Sequence, residues 1–188
     1  ELVILNTAKF EYRLRMTGFD NHVWELFDPY CFPLQITDFD QYLFGEGTHY
    51  RTYEKMGAHP AKVNGVEGVH FAVWAPNAIR VSVIGVFNRW DGRHHPMQNR
   101  GSSGLWELFI PQLKPGDLYK FEIKGQNDFL GQKSDPYAFY SELRPRTASV
   151  VWDYRQYEWQ DKAWMEQRQK ANWMEKRVRV YEVDVASW

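Results

Sequence analysis

The 188-residue chain carries 23 Lys and Arg against 24 Asp and Glu, a formal charge of -1, so no field of one sign points to nucleic acid or an anionic membrane surface as a partner. Hydrophobic residues make up 44% of it, yet no run approaches the roughly 20 consecutive apolar residues of a membrane span, and the start lacks a charged-then-apolar targeting pattern. The one cysteine, Cys31, excludes a disulfide within the chain, favours a reducing compartment such as the cytoplasm, and reads as a small buried hydrophobe rather than a nucleophile.

A repeat without gaps opens the chain. Tyr12-Arg13-Leu14 aligns with Tyr119-Lys120-Phe121, Gly18 with Gly125, and Asp28-Pro29-Tyr30-Cys31-Phe32 with Asp135-Pro136-Tyr137-Ala138-Phe139, all at one offset. Each copy predicts an alternating strand, a turn at glycine, and an Asp-Pro-Tyr segment in which proline bars a helix. Residues 1–38 are therefore expected to be the tail of a preceding β-sandwich whose beginning is absent.

Residues 41–67 are glycine-punctuated and predict a connection with one short helix and a first edge strand. From Val69 the hydrophobic period is two: Phe71, Val73 and Ala75 alternate with His70, Ala72 and Trp74, and Val81 and Val83 with Arg80 and Ser82, the pattern of half-buried strands. Turns are expected at Ala75-Pro76-Asn77-Ala78 and Gly101-Ser102-Ser103-Gly104, strands over 105–110 and 118–124, and a short one near 148–152. Closely spaced strands with turns between them predict an all-β, immunoglobulin-like antiparallel β-sandwich over 39–152. Residues 153–176 turn rich in Gln, Lys, Glu, Ala and Met and predict a helical linker capped by Asp161. Val178–Val183 reads as a further strand, expected to pair outside the chain.

Aromatic residues are 17% of the chain, nine of them tryptophan. Tryptophan fills cores, and it also presents a flat face that suits the C–H face of a sugar when amide, carboxylate or lysine groups stand nearby. Most of these aromatics are expected in the core, including Trp74 and Trp106, either within the sandwich or between domains. Asp91, Glu107 and Asp117 read as solvated acids of turns and strand faces. His94-His95 lacks a third ligand at a helical or knuckle spacing, so no metal is expected.

Trp74-Ala75-Pro76-Asn77-Ala78, Phe87-Asn88-Arg89-Trp90-Asp91-Gly92, Gly104-Leu105-Trp106-Glu107-Leu108-Phe109-Ile110-Pro111 and Lys133-Ser134-Asp135-Pro136-Tyr137-Ala138-Phe139 together resemble the bacterial 1,4-α-glucan branching enzymes and their family-48 carbohydrate-binding module. Glu46-Gly47-Thr48-His49 and Arg144-Pro145-Arg146-Thr147-Ala148-Ser149 favour that family over debranching enzymes, the other parent considered. The stretch Tyr181-Glu182-Val183-Asp184-Val185-Ala186-Ser187-Trp188 resembles the first strand of the family's (β/α)8 barrel but departs from it at Asp184, Val185 and Ala186.

The resemblance implies a non-catalytic portion of an enzyme that cuts an α-1,4-glucan and rejoins the piece through an α-1,6 bond. It divides the chain into 1–38, 39–152, a linker over 153–176 and the first barrel strand over 177–188. The retaining carboxylate pair would lie in the barrel, so no catalytic residue and no cofactor is expected here. The partners implied are an α-1,4-glucan (glycogen or starch) and the barrel within the same protein. Trp90 is implied as a stacking platform or a barrel contact, Asn88 as its polar neighbour or a turn former, Lys120 as a hydroxyl contact or a solvated strand lysine, and Phe129 as a second aromatic or a packed loop residue. A purely structural sandwich is the remaining alternative.

Overall fold

The computed structural model describes residues 12–187. Residues 1–11 of the expected first repeat and Trp188 at the end of the expected barrel strand lie outside them. Residues up to Tyr154 and residues from Arg155 onward form two units, and each is taken by itself.

The first unit opens with a hairpin, β1 (Arg13–Thr17) and β2 (Val23–Phe27), and then α1 (Asp38–Gly45). The strands β3 (Gly57–Val63), β4 (Val66–Trp74), β5 (Arg80–Gly85), β6 (Gln98–Asn99), β7 (Leu105–Pro111), β8 (Leu118–Lys124), β9 (Leu130–Lys133), β10 (Tyr140–Ser141) and β11 (Ser149–Val150) follow. They build two antiparallel sheets: β3-β4-β7-β6, and β10-β11-β8-β5 with β9 also paired to β8. This is the expected all-β sandwich. The facing sides supply the core as the period of two requires: Val69, Phe71 and Val73 from β4, Leu108 and Ile110 from β7, Val81 and Val83 from β5, and Tyr119 and Phe121 from β8. Trp106 belongs to this core, its indole N–H donating to the Ala75 carbonyl at 3.0 Å, whereas Trp74 is exposed beside Phe44.

β4, expected to be half-buried, is buried on both faces, and so is β7. The chain between Phe32 and Met56 lies over the outer side of their sheet, placing Ile36 and Met56 against Ala72 and Leu105, and Phe32 against Phe109. A carboxylate fastens this covering segment. Glu107, expected in solvent, is fully buried. Its Oε2 accepts from the backbone N–H groups of Gln35 (2.7 Å) and Ile36 (3.1 Å) and from His70 Nε2 (2.9 Å). Its Oε1 faces Arg100 Nε at 3.2 Å, an ion contact without hydrogen-bond alignment, and Arg100 Nη2 donates to the Ile36 carbonyl at 2.9 Å. Burial opposes ionisation of Glu107, but His70 and the two backbone donors outweigh it and hold the carboxyl below its usual range.

The segment then enters α1 through a capping box. Thr37 Oγ1 accepts from Asp40 N at 3.1 Å and Asp40 Oδ2 from Thr37 N at 2.9 Å. Despite partial burial, hydrogen bonds from Thr37, His49 and Lys55 keep Asp40 well below the ordinary carboxylate range.

In the second unit α2 (Lys162–Lys170) starts directly after Asp161, as expected, but Asp161 makes no side-chain cap. Val178–Val183, expected as a strand, forms no ladder among the described residues. A strand is defined by a hydrogen-bonded neighbour, and none of the described residues pairs with it.

Candidate functional site

Between β5 and β6 the chain crosses the outer face of the β5-β8-β9 sheet. After Gly85 it makes a single turn over Val86–Asn88 and then places two successive non-glycine residues, Arg89 (φ 57°) and Trp90 (φ 60°), in the left-handed region. Each costs on the order of 1 kcal/mol, so local bonding must hold them.

Asn88 supplies that bonding. Its Oδ1 accepts from Gly85 N at 2.9 Å, and its Nδ2 donates to the Val83 carbonyl at 2.8 Å and to His95 Nδ1 at 2.9 Å. The Trp90 N–H donates to the Gly85 carbonyl at 2.8 Å, and His95 and Met97 pair with Val83 and Val81 beyond the edge of β5. The acceptor role fixes His95 as the neutral tautomer protonated at Nε2, and burial together with the nearby His94 pushes its pKa down to about 4. His94 turns the other way, 3.8 Å from Asp91 Oδ2, so the adjacent histidines serve different partners.

The loop holds Trp90 half-buried at the rim of an open groove of about 610 Å³, whose other walls include Arg80, Glu122, Lys124, Asp128 and Leu130. The strand register explains the gathering. Arg80 pairs with Lys124, Ser82 with Glu122 and Lys124 with Leu130, so these residues share the outer face while Val81, Phe121 and Ile123 point inward. Glu122 Oε1 accepts from Arg80 Nη2 at 2.6 Å. Gly92 lets the loop lie directly on this carboxylate, since a Cβ there would fall 2.0 Å from Glu122 Oε1. Asp91 is clamped by Arg93 through its side chain and backbone and is held well below the ordinary carboxylate range.

The four residues singled out from the sequence are not brought together. Trp90 lines the groove. Lys120 shares the outer face with Glu122, but its Nζ donates to Thr147 Oγ1 at 2.7 Å, and it stands outside the groove. Asn88, expected as a polar neighbour of Trp90 or a turn former, is buried with its amide committed to the chain. Phe129 is half exposed, but its ring lies over Gly131, where a Cβ would come within 2.6 Å of it. Gly131 pairs with Ile123 on the inward-facing register, so Phe129 covers the opposite face of the hairpin from Trp90. Sequence reasoning missed Arg80, Glu122 and Lys124. Their alternation along β5 and β8 places them on one face, but only the register shows that Trp90 comes to rest beside them.

Residues 55–138 match the family described as Carbohydrate-binding module 48 (Isoamylase N-terminal domain). Over that stretch the chain is similar to the family-48 carbohydrate-binding modules. The chain is 55% identical over 163 residues to the 1,4-alpha-glucan branching enzyme GlgB of Nitrosococcus oceani, covering 86% of this chain and 22% of that enzyme. It is 50% identical over 183 residues to the same enzyme of Methylococcus capsulatus, covering 97% and 25% respectively. The chain is thus homologous to the module-bearing part of bacterial branching enzymes and spans about a quarter of their length or less. A pullulanase structure from Anoxybacillus sp. LM18-11, determined with maltotetraose, superposes with a TM-score of 0.45 and 25% identity over 54% of this chain and 14% of that one.

Proposed function

We propose that the module binds an α-1,4-glucan through the face that carries Trp90, and that it serves a branching enzyme that transfers α-1,4-glucan segments into α-1,6 branches. The observation that carries the reading is the strained loop, braced by Asn88, that holds Trp90 at the rim of a polar groove. Two left-handed residues cost stability, and strain of this kind clusters at surfaces that present a side chain to a ligand or partner, which supports a presenting role for Trp90. An indole plane flanked by a carboxylate and two cations supplies the apolar face and the hydroxyl partners that a pyranose needs. Lys120, on the same sheet face, is the contact for a hydroxyl beyond the groove. Asn88 acts as the brace for the loop and Phe129 as cover for the hairpin.

The branching activity belongs to carboxylates of a barrel that this chain does not supply, and the module's second role is to dock against that barrel. We assign residues 153–176 to the linker and 177–188 to the first barrel strand on the homology of the chain, with β1 and β2 as the close of a preceding sandwich. The lone cysteine fits a cytoplasmic setting.

Migration of the chain in native gels containing glycogen tests the binding reading. Retardation of the wild type that is lost in Trp90→Ala is the expected result. A folded wild-type chain that runs unretarded would overturn it and leave docking as the role of this face.

A further inference from the structure

The groove beside Trp90 is lined mostly by charged groups: Asp91 and Arg93 next to the indole, and Arg80, Glu122, Lys124 and Asp128 from the sheet and its hairpin. From Trp90 it extends along β8 and the β8-β9 hairpin toward Asp128 and Leu130, away from Lys120 and Thr147. At its floor Glu122 is mostly buried, with 13% of its side chain exposed, and one of its oxygens is held by Arg80 at 2.6 Å. A carboxylate fixed in this way retains lone pairs on its second oxygen, and the rigid pair cannot swing away to solvate itself.

We propose that Glu122, held by Arg80, is a hydroxyl-reading residue of a glucose subsite next to Trp90, with Lys124, its neighbour on the same face of β8, as the donor. This rests on the glucan-binding reading and deepens it. The glucose stacked on Trp90 sets its ring edge over the groove floor. Adjacent equatorial hydroxyls on that edge donate to the Glu122 carboxylate and accept from Lys124 Nζ, and the glucan continues over Leu130 toward the tip of the hairpin. Gly92 is part of the subsite because a side chain there would occupy the position of the carboxylate.

Calorimetric titration of the full chain with maltoheptaose tests this, with melting temperatures recorded for every variant. Trp90→Ala is expected to abolish measurable binding, Glu122→Gln to raise Kd about five- to tenfold, and Lys124→Ala about threefold, with melting unchanged in the last. Trp90→Ala without binding alongside Glu122→Gln and Lys124→Ala both within twofold of wild type would overturn the subsite and leave the platform standing. A folded wild type that fails to bind would overturn both. If Glu122→Gln lowers the melting temperature so far that it does not fold, exposed Lys124→Ala decides: a loss of affinity supports the subsite and no change rejects it.

Discussion

Asn88 does by hydrogen bonding what glycine would do by freedom of φ. It closes the turn against two backbone groups of β5 and one ring nitrogen, and in doing so sets Arg89 and Trp90 in a conformation that neither would choose. Asn88→Ala leaves the Gly85 N–H and the Val83 carbonyl buried without that partner. It is expected to cost about 2 kcal/mol in urea unfolding and to free the Trp90 fluorescence from its fixed environment. His95 adds a pH dependence to the same brace. Its folded pKa of about 4 lies below the ordinary 6.5, so the neutral ring contributes fully above 6.5, and its contribution is lost as the pH falls from 6.5 through about 4. The ring is only partly buried, and about 1–2 kcal/mol is expected to be at stake. Comparing urea unfolding of wild type and His95→Gln at pH 7 and pH 4.5 isolates it: the variant should lose less on acidification. Equal losses would show that the brace does not titrate through His95.

At the scale of elements, the decisive contact joins β7 to the segment before α1. Glu107 stands inside the apolar run Leu105-Trp106-Glu107-Leu108-Phe109-Ile110, and the segment it holds lies some seventy residues earlier, about the separation of Gln35 and Ile36 from it. Glu107→Ala leaves Arg100 and two backbone donors without their acceptor and is expected to cost about 3–5 kcal/mol, measured by chemical denaturation. Glu107→Gln, which keeps an acceptor, should cost less. The carboxyl is held below its ordinary pKa, so its contribution is present above the usual carboxylate range and is lost as the pH falls through the folded value. The strands, their alternation and the helix after Asp161 were readable in the sequence because they depend on neighbours two or four residues away. The double burial of β4 and β7 was not, because it depends on a segment that reads locally as an irregular linker. A single acid in an otherwise apolar strand was the one available sign, since an unpaired charge is not tolerated in such a run. The site was readable to the same degree. Trp90 could be named from its motif, but the inward turn of Asn88 and the gathering of Arg80, Glu122 and Lys124 depend on strand register.

For the whole molecule, the repeat seen in the sequence recurs as geometry. Gly18 N donates to the His22 carbonyl at 2.8 Å and Gly125 N to the Phe129 carbonyl at 2.9 Å, so both copies turn at the same position. In each, a tyrosine hydroxyl at the start of the hairpin donates to the aspartate of the Asp-Pro-Tyr segment: Tyr12 to Asp28, and Tyr119 to Asp135 at 2.5 Å. The aspartate also accepts the N–H of the residue two further on, at 2.9 Å for Tyr30 and 2.8 Å for Tyr137. The environments of the two copies differ. Tyr119 and Asp135 are buried in the sandwich, whereas Tyr12 is exposed among the described residues. The same deletion should therefore have two outcomes. Tyr119→Phe strips a buried carboxylate of its donor and should cost about 1–3 kcal/mol, while Tyr12→Phe should cost less than about 0.5 kcal/mol. Burial raises the Asp135 pKa against the pull of Tyr119 and the Tyr137 N–H, and removing the hydroxyl raises it further. A carboxyl with a raised folded pKa favours the folded state less as it ionises, so the penalty of Tyr119→Phe should be larger at pH 7 than at pH 4. Denaturation of both variants at the two pH values measures this, and equal costs for the two tyrosines would mean that the shared hydrogen bond, rather than its burial, sets the energy.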